Sequence, residues 1–149
     1  MKSYFSLRCL LFFISFSLTA CSEKAKDLNH AEVHKYIGLR KADTTKLSIR
    51  IAGDDFYGTM EVIYAVGMKD SGDVKGKLYG DTIFMGDYYH MHDGQEKWRR
   101  DPLRLVKRKG KLIRGEGLVG YFANIPFFVS YPPVEYDEKK QFVLFPIKQ

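Results

Sequence analysis

The chain is 149 residues long, carries a formal net charge of +6, and is 45% hydrophobic and 15% aromatic with only two cysteines. That length is one domain's worth and suffices for a single core. So small a charge, spread along the sequence, does not point to nucleic acid as a partner.

Taken from the start, Lys2 and Arg8 form a short positive segment, followed by the apolar run Cys9 to Ser17 (CLLFFISFS). The run is shorter than the roughly 18 to 20 residues that a membrane-crossing helix needs, so residues 1–20 read as a secretory signal peptide that takes no part in the fold. Leu18-Thr19-Ala20-Cys21 then resembles the bacterial lipobox, a Leu and two small residues before a Cys. The resemblance implies that Leu18, Thr19 and Ala20 are read by the signal peptidase. It also implies that Cys21 becomes the first residue and carries acyl chains such as palmitate. Cys9 lies in the removed segment, so the mature chain has no partner for an intramolecular disulfide. Several acyl chains on one residue make attachment to a lipid bilayer effectively permanent, because each buried methylene contributes about 0.8 kcal/mol. By the same resemblance Ser22 implies the outer membrane of a double-membrane bacterium. Glu23-Lys24-Ala25-Lys26 supplies no argument for display on the cell surface.

Removing the signal leaves 129 residues at a formal charge of +4. Residues 21–32 are polar without apolar periodicity and read as an acylated tether. A single β-rich domain is expected over 33–149, because aromatic and β-branched runs recur there between Gly and Asp punctuation every 8 to 12 residues. In Lys46 to Ile51 the alternation predicts Leu47, Ile49 and Ile51 inward and Lys46, Ser48 and Arg50 outward. Gly53-Asp54-Asp55 reads as a turn. Met60, Val62, Tyr64 and Val66 then share a face opposite Thr59 and Glu61, with Ile63 and Ala65 suggesting burial on both sides at one end. Lys69 to Asp73 reads as the next turn, followed by Val74, Gly76 and Leu78 alternating with Lys75, Lys77 and Tyr79.

Gly80-Asp81 reads as a tight turn requiring positive φ, joining Val74–Tyr79 to Thr82–Tyr89. His92 to Lys97 reads as a longer turn, Leu103, Leu105 and Val106 begin another strand, and Arg108-Lys109-Gly110 turns into Lys111 to Val119. Phe127 to Val129 and Phe142 to Phe145 are expected as short final strands, with Tyr131 to Val134 between them. The predicted fold class is all-β: an antiparallel up-and-down meander closing into a small barrel or a strongly curved sheet, since rolling up removes exposed edges. Helix is expected only as a turn around Asp27 to His34.

The run Gly72 to Ile83 (GDVKGKLYGDTI), with Tyr36-Ile37-Gly38 and Asp43-Thr44 before it and Arg114-Gly115-Glu116-Gly117 after it, resembles a group of small bacterial lipoproteins. The resemblance covers about Tyr36 to Gly117. It implies the lipoprotein character already read from Cys21 and supplies no catalytic residues.

Chemistry is sparse. His90 and His92 are two apart, so on a strand both project from one face, and two imidazoles can share a metal. Asp87 and Asp93 lie nearby, but no third strong ligand is identified. The cluster straddles a predicted turn, and His30 and His34 fall with the tether, so an exposed strand end is the better reading and no metal or cofactor is assigned. Asp54-Asp55 and Asp70 with Asp73 are candidate carboxylate pairs, yet each falls in a predicted turn where Asp caps backbone. No Ser lies in Gly-x-Ser-x-Gly, and Gly76-x-x-x-Gly80 lies in a strand, so it is no phosphate loop. The sequence points to no enzyme.

Lys107-Arg108-Lys109 with Lys111 and Arg114 is the densest basic cluster and reads as a solvated hairpin turn, the alternative being contact with anionic headgroups. Phe84, Tyr88, Tyr89, Trp98, Tyr121, Phe122, Phe127 and Phe128 crowd the second half and are expected mostly in the core. The expected function is that of a membrane-anchored cell-envelope lipoprotein, a binding or structural module with an envelope protein as partner. The alternatives are a lipocalin-like carrier of a small apolar ligand and a metal or hydrolytic protein. A hollow interior would favour the carrier, an exposed aromatic patch on a filled domain the partner-binding module, and three converging His or carboxylate groups the last.

Overall fold

The computed structural model describes residues 31–148; the signal segment, Leu18, Thr19, Ala20, Cys21 and the tether up to residue 30 lie outside the described residues. Eight antiparallel strands close into a barrel in the order β1(Val33–Arg40), β2(Asp43–Ala52), β3(Asp55–Ile63), β4(Lys69–Tyr79), β5(Ile83–His92), β6(Trp98–Arg108), β7(Lys111–Arg114) and β10(Val143–Pro146), which pairs back onto β1. Between β7 and β10 the chain makes a separate two-stranded hairpin, β8(Val119–Phe122) and β9(Ile125–Phe128), outside the barrel. The all-β meander predicted from alternation is what forms, and the described residues contain no helix. Val33 and His34 are strand, so the described end of the turn expected over Asp27 to His34 is extended chain, and His34 belongs to the barrel.

Alternation drives the architecture. Leu47 and Ile49 on β2, Phe56, Met60 and Val62 on β3, Val74 on β4, and Phe84 and Tyr88 on β5 join Leu103, Leu105, Leu112 and Leu144 in one buried cluster. Each such side chain contributes roughly 1.5–3 kcal/mol on leaving water. Phe56 and Phe84 meet edge to face at 5.3 Å over the intervening β4, where Gly76 leaves room for them, and join the packed cluster on the barrel's inner face. The outward positions carry Lys46, Arg50, Lys75 and Lys77. Apolar inside and charged outside is the reverse of a barrel that spans a bilayer with its strands.

Tight closure depends on glycine at inward positions. A Cβ on Gly58 would lie 1.8 Å from the Ser48 carbonyl oxygen, and Gly76 and Gly86 face each other across β4 and β5 with backbone closer than any side chain permits. Only glycine allows neighbouring backbone to come so close at these positions.

Several boundaries differ from the sequence reading. The turn before β4 is Tyr64 to Met68, closed by Gly67 N–H to the Tyr64 carbonyl at 2.9 Å, and Val66 is exposed on it. Lys69 to Asp73 is therefore the start of β4, not a turn. Ala65 is exposed rather than buried on a second face. Gly80 and Asp81 both have positive φ, as the turn chemistry requires, but the loop includes Thr82. β6 begins at Trp98, five residues before the first leucine, and β7 stops at Arg114, with 119–122 in a strand of its own.

Chain direction gives the barrel two distinct ends. Val33, Pro146 and the β2–β3, β4–β5 and β6–β7 turns share one end. The β1–β2, β3–β4 and β5–β6 turns share the other, which carries the site.

Candidate functional site

At the end of the barrel away from the termini, the apolar core gives way to ionisable side chains. Tyr64 follows the end of β3, Asp70 opens β4, His90 and His92 close β5, Asp101 lies near the start of β6, and Arg114 ends β7 opposite Leu105. Register brings them together: Asp70 pairs with His92 across β4 and β5, and Tyr88 with Asp101 across β5 and β6.

Asp70 is the hub. It is 6% exposed, accepts a 2.6 Å bond from the Tyr64 hydroxyl through Oδ2, and accepts His92 Nδ1–H through Oδ1. His90 is 3% exposed, stacks on Tyr88 with ring centroids 4.3 Å apart, and donates from Nε2 to Asp101 Oδ2 at 2.9 Å. Its other nitrogen, Nδ1, lies 3.8 Å from Asp70 Oδ2 without a hydrogen bond. The Tyr88 hydroxyl donates to the Met60 carbonyl at 3.1 Å. A buried carboxylate is stable only where such donors satisfy it, which is why Tyr64 and His92 surround Asp70.

The electrostatics follow from this packing. Burial, reinforced by the bond to Asp70, pushes the Tyr64 hydroxyl up to about 12. Burial raises Tyr88 further, with the Asp70 charge adding to it. The bond from His90 holds the Asp101 carboxyl below the usual range, with Arg114 contributing in the same direction.

Two sequence expectations are overturned. Asp70 does not cap a turn: it is a buried strand residue hydrogen-bonded to Tyr64 and His92. His90 and His92 share one face, as their spacing requires, but that face is the barrel interior and not an exposed strand end. Asp87 and Asp93 are not part of the cluster. Asp87 binds Arg100 through both oxygens at 2.8 and 2.9 Å, and Asp93 sits in the β5–β6 turn with φ of 48°.

For a metal, two imidazoles with one carboxylate partner each resemble ligands held by outer hydrogen bonds. Here His90 Nδ1 faces Asp70, while His92 Nε2 lies on the far side of its ring from that carboxylate. Among the described residues no group of three His, Cys, Asp or Glu is arranged to hold a metal ion. What the cluster does is close one barrel end with a bonded polar layer. Sequence reading missed Tyr64, Asp70 and Asp101 as partners of the histidines, and Arg114 as a charge acting on Asp101; the available signal was their inward register beside core residues.

The basic cluster divides. Lys107, Arg108 and Lys109 are exposed at the end that carries the termini. Lys111 reaches Glu138, and Arg114 belongs to the polar layer at the opposite end. The aromatic residues divide too. Phe84 and Tyr88 are core, whereas Trp98, Tyr121, Phe122 and Phe127 are exposed.

No family model, curated protein or solved structure matches this chain.

Proposed function

We propose that this chain is a cell-envelope lipoprotein, anchored by acyl chains on Cys21, whose barrel is a non-enzymatic binding module held at the membrane surface. The observation that carries the module reading is an interior occupied by packed apolar side chains together with an exposed aromatic hairpin on the barrel wall. Binding then falls to the outside surface. The lipobox resemblance and the likeness of Tyr36 to Gly117 to small bacterial lipoproteins support the anchor. Ser22 supports the outer membrane of a double-membrane bacterium. The closed barrel is also compatible with a lipocalin-like module, but its inner face carries one packed cluster of Leu, Ile, Val, Met, Phe and Tyr side chains, which supports the filled reading. The convergence of Asp70, His90, His92 and Asp101 supports a packing role, with Asp70 bonded to His92 and His90 to Asp101.

Two measurements test this. Radioactive palmitate labels the wild type, while Cys21→Ser loses the label and partitions with soluble protein; equal labelling would end the lipoprotein reading. Native mass spectrometry on the chain from Ser22 gives an apo mass, and a reproducible added mass of lipid size would replace the module reading with the carrier.

A further inference from the structure

The hairpin β8–β9 belongs to an excursion with unusual chemistry. No charged residue occurs from Leu118 to Val134, although 28% of the chain is charged. The excursion is pinched at its base, where Glu116 and Glu135 exchange backbone bonds of 3.1 and 2.8 Å and Arg40 binds Glu116 at 2.6 Å. Charge collects at this collar and is absent beyond it.

Within the excursion, β9 lies on the wall: Pro126 is buried and Phe128 sits under the Arg104 guanidinium at 5.9 Å. β8 is the outer strand, and Tyr121 is 71% and Phe122 76% exposed, followed by a turn in which Ala123 and Asn124 both have positive φ. Phe122, Ile125 and Phe127 share the outer face of the hairpin, and the exposed Tyr121 projects from its other face beside Pro126. The groove beside it, about 160 Å³ between Met85, Pro102 and Phe127, is lined in part by the hairpin itself, so it is no socket for the hairpin of another copy.

We propose that this hairpin is a second membrane contact, with Tyr121, Phe122 and Ile125 entering the interface of the bilayer to which the chain is anchored. Two observations select a bilayer as the occupant. Tyrosine and apolar rings without charge are the side chains that settle at the headgroup boundary. The collar's charges are paired, Arg40 with Glu116 at 2.6 Å and Lys140 with Glu135 at 4.0 Å, so they set no uncompensated charge against a headgroup layer. The twelve residues from Cys21 to Val33 span up to about 40 Å when extended, enough for an anchored barrel to lay this wall on the surface. The inference rests on the anchored-lipoprotein reading for its membrane, but its test does not require the anchor.

The test uses the chain from Ser22 onward, which lacks the acyl chains and contains the whole closed barrel and core. The probe is vesicles of phosphatidylethanolamine with a minority of phosphatidylglycerol. Phe122→Trp in a Trp98→Phe background is quenched when the lipids carry bromine high on their acyl chains. The pair Tyr121→Ser and Phe122→Ser lowers vesicle partitioning by about tenfold or more, since each ring removed forfeits an apolar burial. Unquenched emission, or partitioning that the serine pair leaves unchanged, would overturn the proposal. So would a Phe122→Trp signal that shifts with protein concentration in the absence of lipid, which would assign the surface to a second copy. Failure of the anchor itself is read separately, from palmitate on Cys21.

Discussion

Replacing Asp70 by alanine is the sharpest probe of the polar layer. The carboxylate accepts one bond from the Tyr64 hydroxyl and one from His92 Nδ1, and it lies 3.8 Å from His90 Nδ1. Bonds to a charged group are worth about 1.5–3 kcal/mol each, and deletion leaves both donors without a partner in a site that water enters poorly. The expected loss is about 3–5 kcal/mol, the range found when one member of a buried pair is removed. Asp101→Ala is the comparison: its own side chain is 49% exposed, but its removal leaves the buried His90 Nε2–H without an acceptor, so the cost is about 1–3 kcal/mol. Urea unfolding followed through Trp98, the single tryptophan, resolves the two, because 3–5 kcal/mol moves the midpoint by about 2 M at ordinary slopes. If Asp70→Ala lost no more than Asp101→Ala, Asp70 would not be the hub, and the layer would be a set of independent surface pairs.

Other expectations follow from the same geometry. Gly58→Ala places a methyl 1.8 Å from the Ser48 carbonyl and costs more than about 3 kcal/mol, visible as lost soluble yield or a collapsed melting transition. Because Tyr64 is raised to about 12 in the fold, the unfolded chain loses that proton first; stability is intact below about pH 10 and falls as pH rises toward 12. Tyr64→Phe flattens that part of the alkaline limb in a pH series of urea midpoints. Asp101 has the opposite sign: its lowered value stabilises the fold above about pH 4 and the contribution fades as pH falls through the folded value, so Asp101→Asn shortens the acid limb slightly. Zinc leaves the melting temperature unchanged, since among the described residues no group of three His, Cys, Asp or Glu is arranged to hold it; a rise that needs both histidines would reopen a metal site.

Much of the barrel was legible because a strand's side chains alternate strictly. Leu47 and Ile49, Met60 and Val62, and Val74 fell on the predicted face, and the Gly80-Asp81 turn took the positive φ that its residues permit. The polar layer was not legible, because Asp, His and Tyr at strand ends look the same whether they cap turns or point inward. Lys69 to Asp73 contains the Asp, Ser and Gly of a turn, yet pairing with β3 draws it into β4. Tyr121 and Phe122 stood in a set expected mostly in the core, and both are exposed for a related reason: aromatic density records the need for burial without naming what does the burying.

By itself the sequence determined an all-β meander, its inward apolar faces and most of its turn chemistry. Those are local properties, set by alternation and by residues tolerant of particular φ values. The tertiary structure decided that β10 returns to β1 to close the wall, that His90 lies inside it beside Asp70 and Asp101, and that the uncharged hairpin stays outside. Each of these depends on contacts between residues far apart in the chain, and hydrophobic burial is non-directional, so the pattern of one segment cannot name its partner.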